Sequence, residues 1–296
     1  FIFIRAVNRE ATIGVELEGG LLLLAPDGAP VSSFEQSQTK RDRSEGWIAL
    51  SAPAAPGCYS LRFSGNPERE IPIHLFQGWQ TQVFVMHHGR PLLEDMRIFS
   101  SRLGEGFHEG DPIALTVDVA LEGFKNGEDF LTPASMQLLL DGKFSNPMLG
   151  LLAAHVLLRQ LRGAAVRAVP GAAGPDLLNT VLANLKTLIP GSVDLSALDL
   201  MWSTLNQDSV PRSLRFTHPP MFRAGLGAVI DAAIDQPGLI PDESIINDIA
   251  PRLYAASPWT TWRPLSRSFE IDLPEHELKA PSSTGSGPGM LTSAWR

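Results

Sequence analysis

Cysteine is nearly absent: Cys58 stands alone among 296 residues. One thiol cannot close an intrachain disulfide, and it cannot build a structural zinc site from several thiolates. The same scarcity fits a reducing compartment, so a cytoplasmic location is expected. Long hydrophobic runs are also lacking. The longest uncharged apolar stretch, Met148 to Leu158, falls short of the roughly 20 residues of a bilayer span, and no membrane association is expected. Positive charge is in deficit, with 24 Lys and Arg against 32 Asp and Glu and a net charge of -8. A nucleic-acid face needs basic residues to neutralise phosphate, so no nucleic-acid partner is expected. The one dense basic run, "KRDR" from Lys40 to Arg43, is interrupted by Asp42 and reads as a solvated surface loop.

Motifs of named reactions are missing too. There is no G-x-S-x-G elbow and no P-loop. "SQTK", Ser37 to Lys40, fits S-x-x-K without its companion motifs. "GLGAVI", Gly225 to Ile230, resembles part of a dinucleotide fingerprint but follows no strand. "HEG" and "HEL" lack the second histidine of a helical zinc motif, and neither a metal nor a cofactor is expected. The first residues, "FIFIRAVNRE", have no initiator Met and no basic-then-apolar signal layout, and are read as the edge of a longer or processed chain.

What is present is good fold signal. With 44% hydrophobic residues the chain can bury a sizeable core, and its length suggests two domains. Up to about residue 100 the apolar runs are short and regularly broken by Gly, Pro, Asn, Asp and Ser: "FIFIRA", "TIGVEL", "LLLLAP", "WIALSA", "CYSLRF", "IPIHLF" and "TQVFVMHH". This spacing predicts an immunoglobulin-like β-sandwich over 1–104. Its clearest strand follows the Pro56-Gly57 turn, where Tyr59, Leu61 and Phe63 alternate with Cys58, Ser60 and Arg62.

The Gly-rich stretch "SSRLGEGFHEGD", Ser100 to Asp111, then separates two periodicities, and an all-α domain is predicted over 105–270. Ile113, Val117, Ala120, Leu121 and Phe124 share one helical face. Thr132-Pro133 and Asn146-Pro147 each read as an N-cap followed by a proline in the first turn. The second of these helices should close at Gly163. Leu178, Val181, Leu182, Leu185 and Leu188 make a further stripe. More helices are predicted at 194–206, 219–235 and 242–256, with Ala224, Ala228 and Ala232 as a small-residue ridge for close packing. Residues 271–296, with "APSSTGSGPG" from Ala280 to Gly289, read as a flexible or tethered tail. The expected class is α+β, a sandwich followed by helices.

Candidate chemistry is thin. Cys58 is a potential nucleophile, and a thiolate needs a histidine or a helix N-terminus beside it. His74 lies in the same half, so a dyad is physically possible. His155 falls on the apolar face of "SNPMLGLLAAHVLLRQL", where a packed ring with satisfied nitrogens is the expected role. His87 and His88 are adjacent on a strand and point to opposite faces, so they should not chelate one ion. Trp79, His87 and Arg90 are candidates for ligand contact: Trp79 offers stacking area, and the other two flank the turn at Gly89.

Two stretches carry a resemblance. "GKFSNPMLGLLAAHVLLRQL", and "HPPMFRAGLGAVIDAAI" with "LIPDESII", are similar to segments of bacterial proteins that accompany caspase-like or trypsin-like peptidase domains. The likeness covers about half the chain and implies a non-catalytic accessory region, with the peptidase upstream or on another polypeptide. The expected function is therefore a non-enzymatic interaction or regulatory module with a protein partner, such as a peptidase or a covalently preceding domain. "MLGLLAAHVLL" supports this, because a helix apolar all round must be covered by its neighbours or by another chain. The alternatives are a cysteine-type hydrolase using Cys58 with a histidine, and a β-sandwich that binds a small molecule or glycan.

Overall fold

Alternation builds the first half. In β1 (Ile2–Ala6), Ile2 and Ile4 are buried and Phe3 is half-buried on the other side. The structure is a computed structural model describing residues 1–6, 20–33, 39–42, 46–51, 53–63, 68–88, 90–105, 112–128, 131–166, 174–255 and 257–264. The predicted strand "TIGVEL" and the tail 271–296 lie outside the described residues. The fold is α+β.

Further strands are β2 (Leu21–Leu24), β3 (Pro30–Ser33), β4 (Thr39–Asp42), β5 (Trp47–Leu50), β6 (Gly57–Phe63), β7 (Arg69–Leu75), β8 (Trp79–His87) and β9 (Pro91–Arg102). They form a five-stranded sheet, β4-β5-β1-β8-β9, and a four-stranded sheet, β3-β2-β6-β7. The β1–β8 pair is parallel; the other pairs are antiparallel. Two segments depart from the sequence reading. Lys40 to Asp42 belong to an edge strand rather than a loop, because β5 offers an unpaired side that "TKRD" can complete. The 12-residue β9 was not expected as a strand, because Glu94, Asp95 and Arg97 obscure its alternation; Leu93, Met96, Ile98 and Phe99 are nevertheless buried.

The helices are α1 (Pro112–Asn126), α2 (Pro133–Gly142), α3 (Pro147–Val166), α4 (Gly174–Leu188), α5 (Val193–Leu205), α6 (Arg223–Asp235) and α7 (Ile245–Ile249). The expected caps form: Thr132 Oγ1 accepts from Ser135 N at 3.1 Å, and Asn146 Oδ1 accepts from Met148 N at 3.2 Å and Ser100 N at 3.0 Å. Helix α3 runs past Gly163 to Val166. Helix α7 is far shorter than 242–256, because Pro251 cannot continue the helical hydrogen bonds; residues 250–252 tighten into a 3₁₀ turn and Leu253 is extended. In α6 the alanine ridge is only half-buried. Close approach to α5 is made by Gly225 instead, where an added Cβ would lie 3.1 Å from Ala197 Cβ.

The expected boundary at residue 104 is not an edge between two bodies. Residues 1–265 form one compact unit, and a single buried cluster runs from Ile2, Ile71 and Val83 through Leu151 and Leu158 to Leu182 and Leu198. The reason is α3. Every residue from Met148 to Leu158 is buried. It is covered by α1, α2, α4, α5 and β9 of its own chain. The segment 257–262 laces the two halves together. Trp259 Nε1 donates to Met96 O at 2.7 Å, Thr260 N donates to Met221 O at 2.7 Å, and Trp262 pairs with Glu70 of β7.

Candidate functional site

Strand alternation places the site. On the mixed face of β6 stand Cys58, Ser60 and Arg62, and antiparallel register sets them opposite His74, Pro72 and Glu70 of β7. The Arg62–Glu70 pair closes at 3.2 Å. At the other end, the partly exposed Cys58 faces His74, which is 3% exposed. Both faces of β7 are buried, so His74 needs a partner from the element packed over it.

That partner is Asp194. Ser192 caps α5, its Oγ accepting from Leu195 N at 3.3 Å, and Asp194 follows in the first turn, where the helix N-terminus favours a carboxylate. Asp194 is 0% exposed. Its Oδ1 accepts from Phe222 N at 2.9 Å, and its Oδ2 lies 3.1 Å from His74 Nδ1. The approach is close but oblique, an ion pair rather than an in-line hydrogen bond, since neither His74 nitrogen has a hydrogen bond of regular geometry. Burial works against a charged ring, but Asp194 and then Cys58 outweigh it, and the His74 pKa rises to about 10. At neutral pH this site holds an imidazolium beside the only thiol of the chain.

Cys58 and His74 open onto a cleft of about 450 Å³ between the sheet and the α4–α5 turn. Its other walls, from Pro56, Gly57 and Leu75–Gln77 to Thr187–Val193, carry no Asp, Glu, Lys or Arg. An acyl carbon seated there would meet a thiol and a proton donor, and behind the donor stands the buried carboxylate that orients it, which are the parts of nucleophilic acyl transfer.

Of the residues expected from sequence, Cys58 and His74 come together and the others do not. His155 is 1% exposed and lies outside the cleft wall. It packs against Phe222 at 4.6 Å and Phe124 at 5.4 Å between ring centroids. Its nitrogens, expected to be satisfied, have no hydrogen-bond partner. Burial drives its pKa to about 4; Asp194 pulls upward and Arg162 downward, and the ring stays neutral. Trp79 is 8% exposed, donates from Nε1 to Leu188 O at 3.2 Å and has Arg102 over its ring, so its stacking area is taken. His87 ends β8, its pKa lowered by burial and then by His88. Arg90 pairs with Glu94 at 3.0 Å. Among the described residues no group of three or more His, Cys, Asp or Glu could hold a metal ion.

Asp194 was not legible as a site residue, although one signal was available. Positions 194, 197, 198 and 201 share a helix face, and Ala197, Leu198 and Met201 on it are buried. A carboxylate on an apolar stripe calls for a buried partner.

No family model, curated protein or solved structure matches this chain.

Proposed function

We propose that the chain is a thiol-dependent hydrolase whose site is Cys58, His74 and Asp194. One observation carries the reading: Cys58 stands directly across from His74, which is ion-paired to the fully buried Asp194, at the wall of a cleft. Cys58 Sγ, as the thiolate, attacks the carbonyl carbon of an ester, thioester or amide, and the imidazolium gives its proton to the departing group. The product is a thioester on Cys58 and a neutral His74. His74 then takes a proton from water, the hydroxide attacks the thioester, and the released thiolate again faces an imidazolium. Asp194 is a positioning residue that holds the ring and supports its charge.

The single cysteine makes the test direct. Alkylation by iodoacetamide at pH 7 should be faster for the native chain than for the same chain unfolded in urea, and Cys58→Ala should abolish turnover on a panel of acyl esters, thioesters and amides. Alkylation no faster than in urea, together with no turnover on the panel, would overturn the reading.

A second reading is the interaction module. The observation that favours it is on the outer face of the five-stranded sheet. Phe3, Trp47, Phe84 and Met86 are half-buried there, and Phe3 and Phe84 stack at 4.7 Å beside a groove of about 210 Å³. The apolar α3 gives no support, because its own neighbours cover it. In this reading the sheets are an immunoglobulin-like sandwich, supported by their shared core, and the partner is a peptidase in a bacterial cytoplasm, as the resemblance implies. Phe84→Lys should then prevent co-purification of that peptidase from the native host; retention would remove this reading.

A further inference from the structure

The four-stranded sheet gains two short neighbours at the start of β7. Glu70 and Trp262 form an antiparallel bridge, with N–H to O bonds of 3.0 Å in both directions. Leu253 and Trp262 form a second antiparallel bridge, and Arg263 N donates to Arg252 O at 3.1 Å. This register has a consequence for charge. The residue opposite Arg69 is Arg263, and the residue opposite Arg263 is Arg252. Arg69 and Arg263 therefore oppose each other across an antiparallel bridge, and Arg252, the last residue of the 3₁₀ turn, is held beside Arg263 by the Arg263 N to Arg252 O bond while its Nη1 donates to Pro264 O at 3.4 Å. Arg90, in the turn between β8 and β9, lies close enough to act on Arg69 and is itself ion-paired with Glu94.

Like charges directly opposite each other destabilise a sheet. Here they occur in a chain whose net charge is -8. The nearby carboxylates have other partners. Glu68 and Glu70 pair with Arg62, at 3.9 and 3.2 Å, and Glu94 pairs with Arg90 at 3.0 Å. Arg69 lies over the Tyr254 ring, 3.1 Å from guanidinium carbon to centroid, and its Nη1 has no hydrogen-bond partner. Burial and the neighbouring Arg90 make the Arg69 proton easier to lose; Glu94 offsets this in part, and Arg263 adds to it. Arg252 and Arg263 are exposed.

We propose that Arg69, Arg252 and Arg263, with Arg90 beside them, bind a ligand carrying two or more linked phosphate groups. Three guanidinium groups on neighbouring backbone segments present more N–H donors than one phosphate or carboxylate can take up. Guanidinium edges match phosphate oxygens in paired, charge-assisted hydrogen bonds. The phosphate chain is the recognised chemistry, and it is common to a nucleoside triphosphate and to inorganic polyphosphate. The inference is independent of the thiol site.

The test is calorimetric titration of the full chain with inorganic tripolyphosphate, ATP and inorganic phosphate, at low and at 0.3 M salt. Saturable binding of tripolyphosphate that weakens with salt is expected, at least tenfold tighter than that of single phosphate, with loss of about tenfold in Arg252→Ser and in Arg263→Ser. ATP binding like tripolyphosphate identifies the chain of phosphates alone as the determinant; tighter ATP adds the nucleoside. Without ligand, the double variant should melt above the parent, because two opposed charges are gone. No saturable binding of tripolyphosphate at millimolar concentration, equal binding of single phosphate, or unchanged binding in a folded double variant would overturn the proposal.

Discussion

Replacing His155 with leucine tests the buried ring at the junction of α1, α3 and α6. The side chain is 1% exposed, and its two nitrogens have no hydrogen-bond partner. Each unsatisfied buried polar atom costs about 1–3 kcal/mol, whereas the lost contacts with Phe124 and Phe222 are worth about 1 kcal/mol each. At pH 7.5 the variant should be as stable as the parent or more so. The acid side separates them further. In the unfolded chain the ring titrates near 6.5, and in the folded chain near 4. Above pH 6.5 both states hold it neutral. As the pH falls toward 4 the unfolded state alone gains a proton, so stability present above 6.5 is lost across this window. At about 1.4 kcal/mol per pH unit, the parent loses about 2 kcal/mol by pH 5 through this ring, and the leucine variant loses none of it. Urea melts of both proteins at pH 7.5 and 5.0 measure this, because other acid titrations are common to both and cancel in the difference. A constant stability difference between the two pH values would refute the buried, neutral assignment. So would a leucine variant several kcal/mol less stable at pH 7.5.

Two further perturbations follow from the same packing. Asp194→Asn leaves a carbonyl oxygen for Phe222 N–H but removes the counter-charge of His74, and should cost about 3 kcal/mol. Because the His74 pKa is raised, its contribution is fully present below pH 6.5 and is lost as the pH rises toward about 10. The parent should weaken over that alkaline window and the variant should not, and melts that stay parallel from pH 6 to 9.5 would contradict the ion pair. Gly150→Ala would put a Cβ 2.8 Å from Leu185 Cδ2 and 2.8 Å from Lys143 Cβ, so overpacking of about 1–3 kcal/mol should exceed the helix-propensity gain of about 1 kcal/mol. A melting temperature above that of the parent would show that α3 and α4 are less tightly opposed than described.

The elements that local chemistry controls were legible in the residues. Thr132-Pro133 and Asn146-Pro147 started helices because a side-chain oxygen and a missing N–H suit a first turn. The stripe of Leu178, Val181, Leu182 and Leu185 buried the face its period implied. Tyr59, Leu61 and Phe63 alternated because a strand has period two. Long-range facts were not legible in this way. That β7 is buried on both sides depends on α5 lying over it, more than a hundred residues away. The meeting of Cys58, His74 and Asp194 depends on that packing, as does the absence of a hydrogen-bond partner for His155. The strand-like and helix-like halves form one unit because α3 and Trp259 are covered from both. Arg69, Arg252 and Arg263 are brought together only through the bridges of Trp262. Periodicity records which face of an element is apolar, but which other element covers that face is decided by the burial of all of them together.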